Sequence, residues 1–205
     1  MTQLSHRGIK IDSLQILLPI LEEWLRINEE WDDDDAAWWY NERAVLSIFA
    51  GTIWRCGGWA IEEFSTDKLS SHMLGTRYKG RCDLAFGVQE TDYWCEAKQC
   101  FPDLSNSTKA LKQVYNEIER ATQDVKNGIE QDFVGLALVF VSPFYKANKS
   151  NFLKAESNIV NFINCLQQFE DVTLAWTFPR DKLRLASTED HDIYPGGVLI
   201  IKPVN

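Results

Sequence analysis

Apolar residues recur along this chain with two periods, one helical and one strand-like, and the alternation between them predicts a mixed α/β protein. Over residues 13–27, Leu14, Leu17, Leu18, Leu21, Trp24 and Leu25 form a helical stripe that Asp12 or Ser13 is placed to cap. A second helix is expected over 36–55, with Trp38, Val45, Leu46, Phe49 and Ile53 on its inner side and Gly57-Gly58 to end it. Glu42 falls on that stripe, so its carboxylate is aimed inward, which is costly unless a cation or a metal meets it. A strand over 59–64 follows, then a serine-rich, basic stretch over 65–79 that reads largely as loop. Residues 80–99 read as two strands flanking a polar break at 89–92. Ser105 or Ser107 then opens a helix to about 127, with Leu111, Val114, Tyr115, Ile118, Ala121 and Val125 as its apolar positions. The uninterrupted apolar run 133–141 predicts a central strand covered on both faces. A helix over 151–169, a strand over 172–178 and an apolar run over 198–201 complete the order.

The register of the 80–99 hairpin decides what it can do. With Gln89 and Glu90 at the turn centre, Asp83 stands opposite Glu96 and Arg81 opposite Lys98. The other face then carries Cys82, Leu84 and Phe86 with Tyr93, Cys95 and Ala97, all apolar, so one face is expected to be core and the other to carry chemistry. Two carboxylates held opposite each other repel, and a divalent cation relieves that conflict. Asp and Glu oxygens are hard ligands suited to Mg²⁺ or Mn²⁺. Lys98 points to the same side as Glu96, where an ammonium can orient a water or stabilise charge on a phosphate.

The pattern Asp83, twelve residues, then Glu96-Ala97-Lys98 on a hairpin resembles the active-site signature of the PD-(D/E)xK, or restriction-endonuclease-like, nuclease superfamily. From the second helix onward the expected order is helix, three antiparallel strands, helix, strand, helix, strand. Over roughly 36–178 that order resembles the superfamily's common core, a central mixed sheet with a three-strand antiparallel meander flanked by helices. The resemblance implies metal ligation by Asp83, Glu96 and the Ala97 carbonyl, with Lys98 acting on the attacking water or the transition state. It also implies that Glu42, on the helix before the sheet, adds an acid to the site. The alternative for Glu42 is an ion pair with Arg43, Lys98 or another cation.

Composition bounds the rest. With 205 residues, 45% apolar and 25% charged, the chain suits one well-buried domain, residues 1–35 forming an N-terminal helix and acidic linker. Cys56, Cys82, Cys95, Cys100 and Cys165 are odd in number and form no Cys-x-x-Cys pair, which argues against a disulfide framework or a zinc centre and for reduced thiols in the cytoplasm. The formal net charge of -9 is local: residues 22–35 hold eight acids and one Arg. The run Asp32 to Asp35 is expected to serve the N-terminus of the following helix. By contrast, residues 68–81 contain Lys68, Arg77, Lys79 and Arg81 with His72 and no acid. Lys79 and Arg81, with Lys109 and Lys112 near the start of the third helix, are the candidates for contacting phosphates, solvated charge being the plainer explanation.

Other constellations fit poorly. The chain has no Gly-x-Ser-x-Gly, phosphate loop or dinucleotide fingerprint, and His6, His72 and His191 are too scattered for a His-based site. Trp38 and Trp39 invite base stacking, but neighbouring helix positions cannot face the same way, so at least one belongs to the core. The expectation is a Mg²⁺-dependent nuclease acting on nucleic acid, DNA favoured over RNA, with no membrane partner. Cutting both strands of a duplex calls for two sites or two events, which leaves a homodimer open. The competing class is a non-catalytic nucleic-acid- or protein-binding module on the same fold.

Overall fold

The computed structural model describes residues 6–31, 34–69, 77–130, 132–184, 186 and 192–204. In chain order the elements are β1 (Arg7–Lys10), α1 (Leu18–Glu29), α2 (Glu42–Arg55), β2 (Trp59–Leu69), β3 (Arg77–Val88), β4 (Thr91–Cys100) and α3 (Ser107–Gly128). There follow β5 (Val134–Val141), β6 (Tyr145–Lys146), α4 (Lys149–Leu166), β7 (Thr173–Thr177), β8 (Asp192–Ile193) and β9 (Gly197–Val204). Seven strands make one mixed sheet in the order β1-β7-β9-β5-β4-β3-β2, and β6 and β8 pair separately. Among the described residues of the large sheet only β4 and β5 run parallel, joined by α3, as a parallel pair requires a crossover.

Both faces of the sheet are covered. Leu21, Trp24 and Leu25 of α1 and Leu46, Phe49 and Ile53 of α2 pack on Leu84, Phe86, Tyr93, Cys95, Ala97, Leu136 and Leu138. On the other face, Val114, Ile118, Ala121 and Val125 of α3 and Ile159 and Phe162 of α4 cover Ala85, Trp94, Ala137, Val139, Trp176 and Ile200. β5 is buried from Gly135 onward, which is what its unbroken apolar sequence implies. Among the described residues no helix is long and apolar enough to cross a membrane.

The helix starts depart from expectation for identifiable reasons. Leu14 takes a left-handed φ of 63°, a 3₁₀ turn spans Gln15–Leu17, and α1 begins with Pro19 in its first turn. Neither Asp12 nor Ser13 caps it. The expected helix over 36–55 is two pieces: a 3₁₀ turn at Ala37–Trp39, then an extended Tyr40 and Asn41. The Asn41 side chain accepts from Ala44 N and starts α2. Asp35 therefore serves a loop rather than the helix terminus, and Asp32 and Asp33 lie outside the described residues. Likewise Asn106, not Ser105 or Ser107, caps α3, and Tyr115 is exposed. β1 was not expected at all.

β2 and β3 extend well beyond the predicted hairpin. The ladder runs from Trp59↔Gly87 to Leu69↔Arg77, so 65–69 and 77–79 are strand, not loop. His72, with the rest of 70–76, lies outside the described residues. Opposite Asp83 the ladder is interrupted at Glu63, whose φ is 49°. Glu62 and Glu63 consequently both turn toward α2, where they meet Ser47 and Arg43.

Candidate functional site

The β3–β4 hairpin has the expected register, from Val88↔Thr91 to Leu84↔Cys95, with Gln89 at φ 55° in the turn. Beyond Leu84↔Cys95 the ladder stops. From there β3 pairs with β2 alone while β4 pairs with β5 through Cys100. Asp83 lies in the opening between the diverging strands, and its Oδ2 accepts a hydrogen bond from Ala97 N at 2.8 Å. The carboxylate thus pairs a backbone amide that the departing strand leaves without a ladder partner. Asp83 is held against the Glu96-Ala97-Lys98 segment by that bond rather than by strand pairing.

Lys98 reaches from β4 to α3. Its Nζ is 2.8 Å from Asp124 Oδ2 and 2.9 Å from the Ala97 carbonyl. Burial alone would pull the ammonium pKa down, but the hydrogen bond and charge of Asp124, with the charges of Asp83 and Glu42, outweigh it and hold the value above that of a free lysine. Lys98 is therefore a permanent cation at neutral pH. Glu42 stands at the first position of α2, three and four residues before the buried Val45 and Leu46, and is half-buried beside Lys98 and Asp83. Burial pushes its carboxyl pKa up and Asp83 adds to the effect, while Lys98 and the Gln99 backbone N–H oppose it.

Glu96 lies on the face covered by α3 and is buried, 2% exposed, with Trp94 Nε1 donating to its Oε1 at 3.3 Å. The division into one core face and one chemical face is thus corrected: both faces of β4 are buried because it is a central strand between two helical layers. Cys82 is corrected as well. It sits with Ala85 and Trp94 on the face of Glu96, not with Leu84 and Cys95, because side-chain alternation breaks where Glu63 and Asp83 interrupt the ladder. Burial first, then Glu96 and Asp83, pushes the Cys82 thiol up to about 12, which leaves it inert.

The remaining candidates are spread more widely. Arg81 is exposed and its guanidinium is 2.8 Å from Glu63, which also pairs Arg43. Lys79 is exposed on the same strand. Lys109 and Lys112 are exposed on the first turns of α3, whereas that helix joins the cluster through Asp124, and through Glu117, whose charge reaches Glu42. Asp124 and Glu117 did not stand out in the sequence. The available signal was their seven-residue spacing along the flank of the buried stripe Val114, Ile118, Ala121 and Val125. Gln99 locks the cluster to the segment before α2, its Nε2 donating to the Tyr40 carbonyl at 2.7 Å.

The carboxylates of Asp83, Glu42 and Asp124 and the Ala97 carbonyl stand near Lys98, while Glu96 lies buried against Trp94 on the α3 face. Such oxygens are hard donors of the kind that fit Mg²⁺ or Mn²⁺, and burial raises the Glu42 carboxyl pKa while Lys98 opposes the rise. Among the described residues, no three His, Cys, Asp or Glu side chains are already gathered at ligating distance. Comparison with protein-family models, curated proteins and solved structures finds no match for this chain.

Proposed function

We propose that this protein is a Mg²⁺-dependent nuclease of the restriction-endonuclease-like type, hydrolysing phosphodiester bonds. The observation that carries the reading is the Asp83–Ala97 hydrogen bond at the point where β3 and β4 part. That bond ties Asp83 to the backbone between Glu96 and Lys98, which supports reading the three as one signature. The succession α2, three antiparallel strands, α3 and a parallel strand supports it, since the superfamily's common core has that order.

In this reading Asp83, Glu96 and the Ala97 carbonyl hold the metal, and Glu42 adds a fourth oxygen ligand or tunes the charge. A bound Mg²⁺ supplies Lewis-acid polarisation of a phosphoryl oxygen and a water of lowered pKa. The Lys98 ammonium, kept charged by Asp124, stabilises negative charge on the transferring phosphoryl group. Asp124 and Gln99 position, the first by orienting Lys98 and the second by fixing the backbone next to Glu42.

The test is degradation of circular DNA, linear DNA and RNA with Mg²⁺, Mn²⁺ or a chelator, by wild type and Lys98→Met. Metal-dependent cleavage that falls about 10²-fold or more in Lys98→Met is expected. A wild type that binds nucleic acid with the affinity of Lys98→Met and cleaves nothing with any divalent ion assigns the fold to a binding module instead.

A further inference from the structure

Beside the acidic cluster lies an aromatic surface that the reading above does not use. Phe101, three residues past Lys98, is exposed and meets the Tyr194 ring edge-on at a centroid distance of 6.0 Å. Trp39, three residues before Glu42, meets the same ring edge-on at 6.5 Å. Phe144 lies tilted against it at 6.0 Å, and Lys146 Nζ sits 5.7 Å above the Phe144 ring while pairing Asp192. Tyr194 is the floor, 9% exposed, and Phe101, Trp39 and Phe144 keep part of their surface open around it.

Gln99 joins this surface to the cluster. Its backbone N–H holds Glu42 and its side-chain amide holds the Tyr40 carbonyl, so the chain segments bearing Trp39 and Phe101 are tied together at the edge of the site. Phe101 follows directly on the end of β4 at Cys100, three positions past Lys98 and at most about 10 Å from it along the chain, a span that a nucleotide or two bridges. Charge selects among nucleic acids. The chain has a net charge of -9, and Arg81 beside the site already pairs Glu63. A duplex, with about one phosphate per 1.7 Å of axis, calls for many cations, whereas stacking of unpaired bases on rings calls for few.

We infer that Phe101, Trp39 and Phe144 form a stacking platform for unpaired bases, so that the substrate class of the site is single-stranded nucleic acid. The inference rests on the nuclease reading for its link to cleavage, but the platform itself binds with or without chemistry.

The experiment is fluorescence anisotropy without metal, using labelled oligo-dT, oligo-U and a duplex of equal length, on wild type, Phe101→Ala and Phe101→Leu. Leucine keeps apolar packing on Tyr194 and removes the stacking face; thermal melting checks the fold of both variants. Wild type is expected to prefer a single strand, each variant to lose about 10- to 100-fold of that affinity, and duplex binding to stay unchanged. Preference for oligo-dT or for oligo-U decides between DNA and RNA, and either supports the platform. Equal affinity for duplex and single strands, wild-type binding by Phe101→Leu, or no binding of either strand form overturns it. Single-strand binding without cleavage under any metal keeps the platform and removes the nuclease, whereas cleavage confined to duplex keeps the nuclease and removes the platform.

Discussion

Replacing Lys98 tests whether the cluster is an electrostatic unit. Methionine keeps most of the aliphatic stem and removes the ammonium, so the change deletes the 2.8 Å pair with Asp124 and the 2.9 Å bond to the Ala97 carbonyl. It also leaves Glu42 and Asp83 without the cation that both feel. The Lys98 side chain is 16% exposed and that of Asp124 is 42% exposed. The pair therefore belongs between a surface bridge, worth at most about 1 kcal/mol, and a buried one, whose disruption costs about 3–5 kcal/mol. With solvent screening at Asp124 we expect Lys98→Met to cost about 2 kcal/mol, Asp124→Asn about 1 kcal/mol, and the double variant about 2 kcal/mol, a coupling of about 1 kcal/mol. Urea unfolding of the four proteins at low and high salt measures this, the coupling shrinking with salt. Carbon-13 titration of the Glu42 carboxyl supplies an independent readout. Lys98 is the largest influence holding that carboxyl down, so its value rises further in Lys98→Met. Additive stabilities together with an unmoved Glu42 titration would refute the view that these groups act on one another.

Three further outcomes follow from particular contacts. Asp83→Asn keeps an oxygen for Ala97 N and is expected to fold as wild type, whereas Asp83→Ala leaves that amide unpaired and costs about 1–3 kcal/mol; on the proposed metal site, Mg²⁺ or Mn²⁺ is expected to raise the thermal stability of wild type and of neither variant, and an equal gain in either variant moves the metal elsewhere. Burial would raise the Asp35 carboxyl, but hydrogen bonds from Tyr40, Trp31 and Ala36 N hold it below its ordinary value of 3.8. Its depressed pKa is stability present above pH 3.8 and lost as pH falls through the lower folded value, so Asp35→Asn should cost about 1–2 kcal/mol at pH 7 and progressively less below about pH 4; a deficit that does not depend on pH contradicts this. Gly58→Ala sets a Cβ 2.6 Å from the Gly87 carbonyl and 2.8 Å from Ile53 Cγ2. It should lower stability by about 2 kcal/mol, and an unchanged denaturation midpoint would show that the end of α2 can move away from β3.

What the sequence made legible is what local rules govern. The turn at Gln89 and Glu90, and with it the pairing of Leu84 with Cys95, follows from a polar break between apolar runs. The double-sided burial of β5 follows from its composition. β1 escaped because its four residues include one apolar side chain, Ile9, and it exists as an edge partner of β7, far away in sequence. The arm Ser65 to Leu69 is polar and shows no alternation; pairing with Arg77 to Arg81 makes it a strand. The break before α2 was hidden for a related reason. Trp38 belongs by periodicity to a helix, but its indole donates to the Tyr194 carbonyl and Gln99 captures the Tyr40 carbonyl, contacts across 156 and 59 positions that no local window contains.

The candidate site divides along the same line. Parity within β4 places Glu96 and Lys98 on one side, and parity is a local property. Asp83 could not be placed by parity, because a strand pair that diverges has no opposite position to assign. The divergence itself has a topological cause. β4 is engaged on one edge by the parallel β5 through Cys100, while β3 is drawn toward β2 along a ladder reaching Arg77. Somewhere between those demands the β3–β4 ladder must end, and where it ends amides lose their partners. A residue there must supply an acceptor on a short side chain, and aspartate does so at Ala97 N. The same carboxylate then stands at an opening with Lys98 and Glu42 beside it, so the group that repairs the backbone also contributes charge to the cluster. Structural need alone is met by asparagine as well as by aspartate. The choice of a charged group beside Glu42, whose carboxyl pKa is raised first by burial and further by Asp83, is what a purely structural account leaves without a reason.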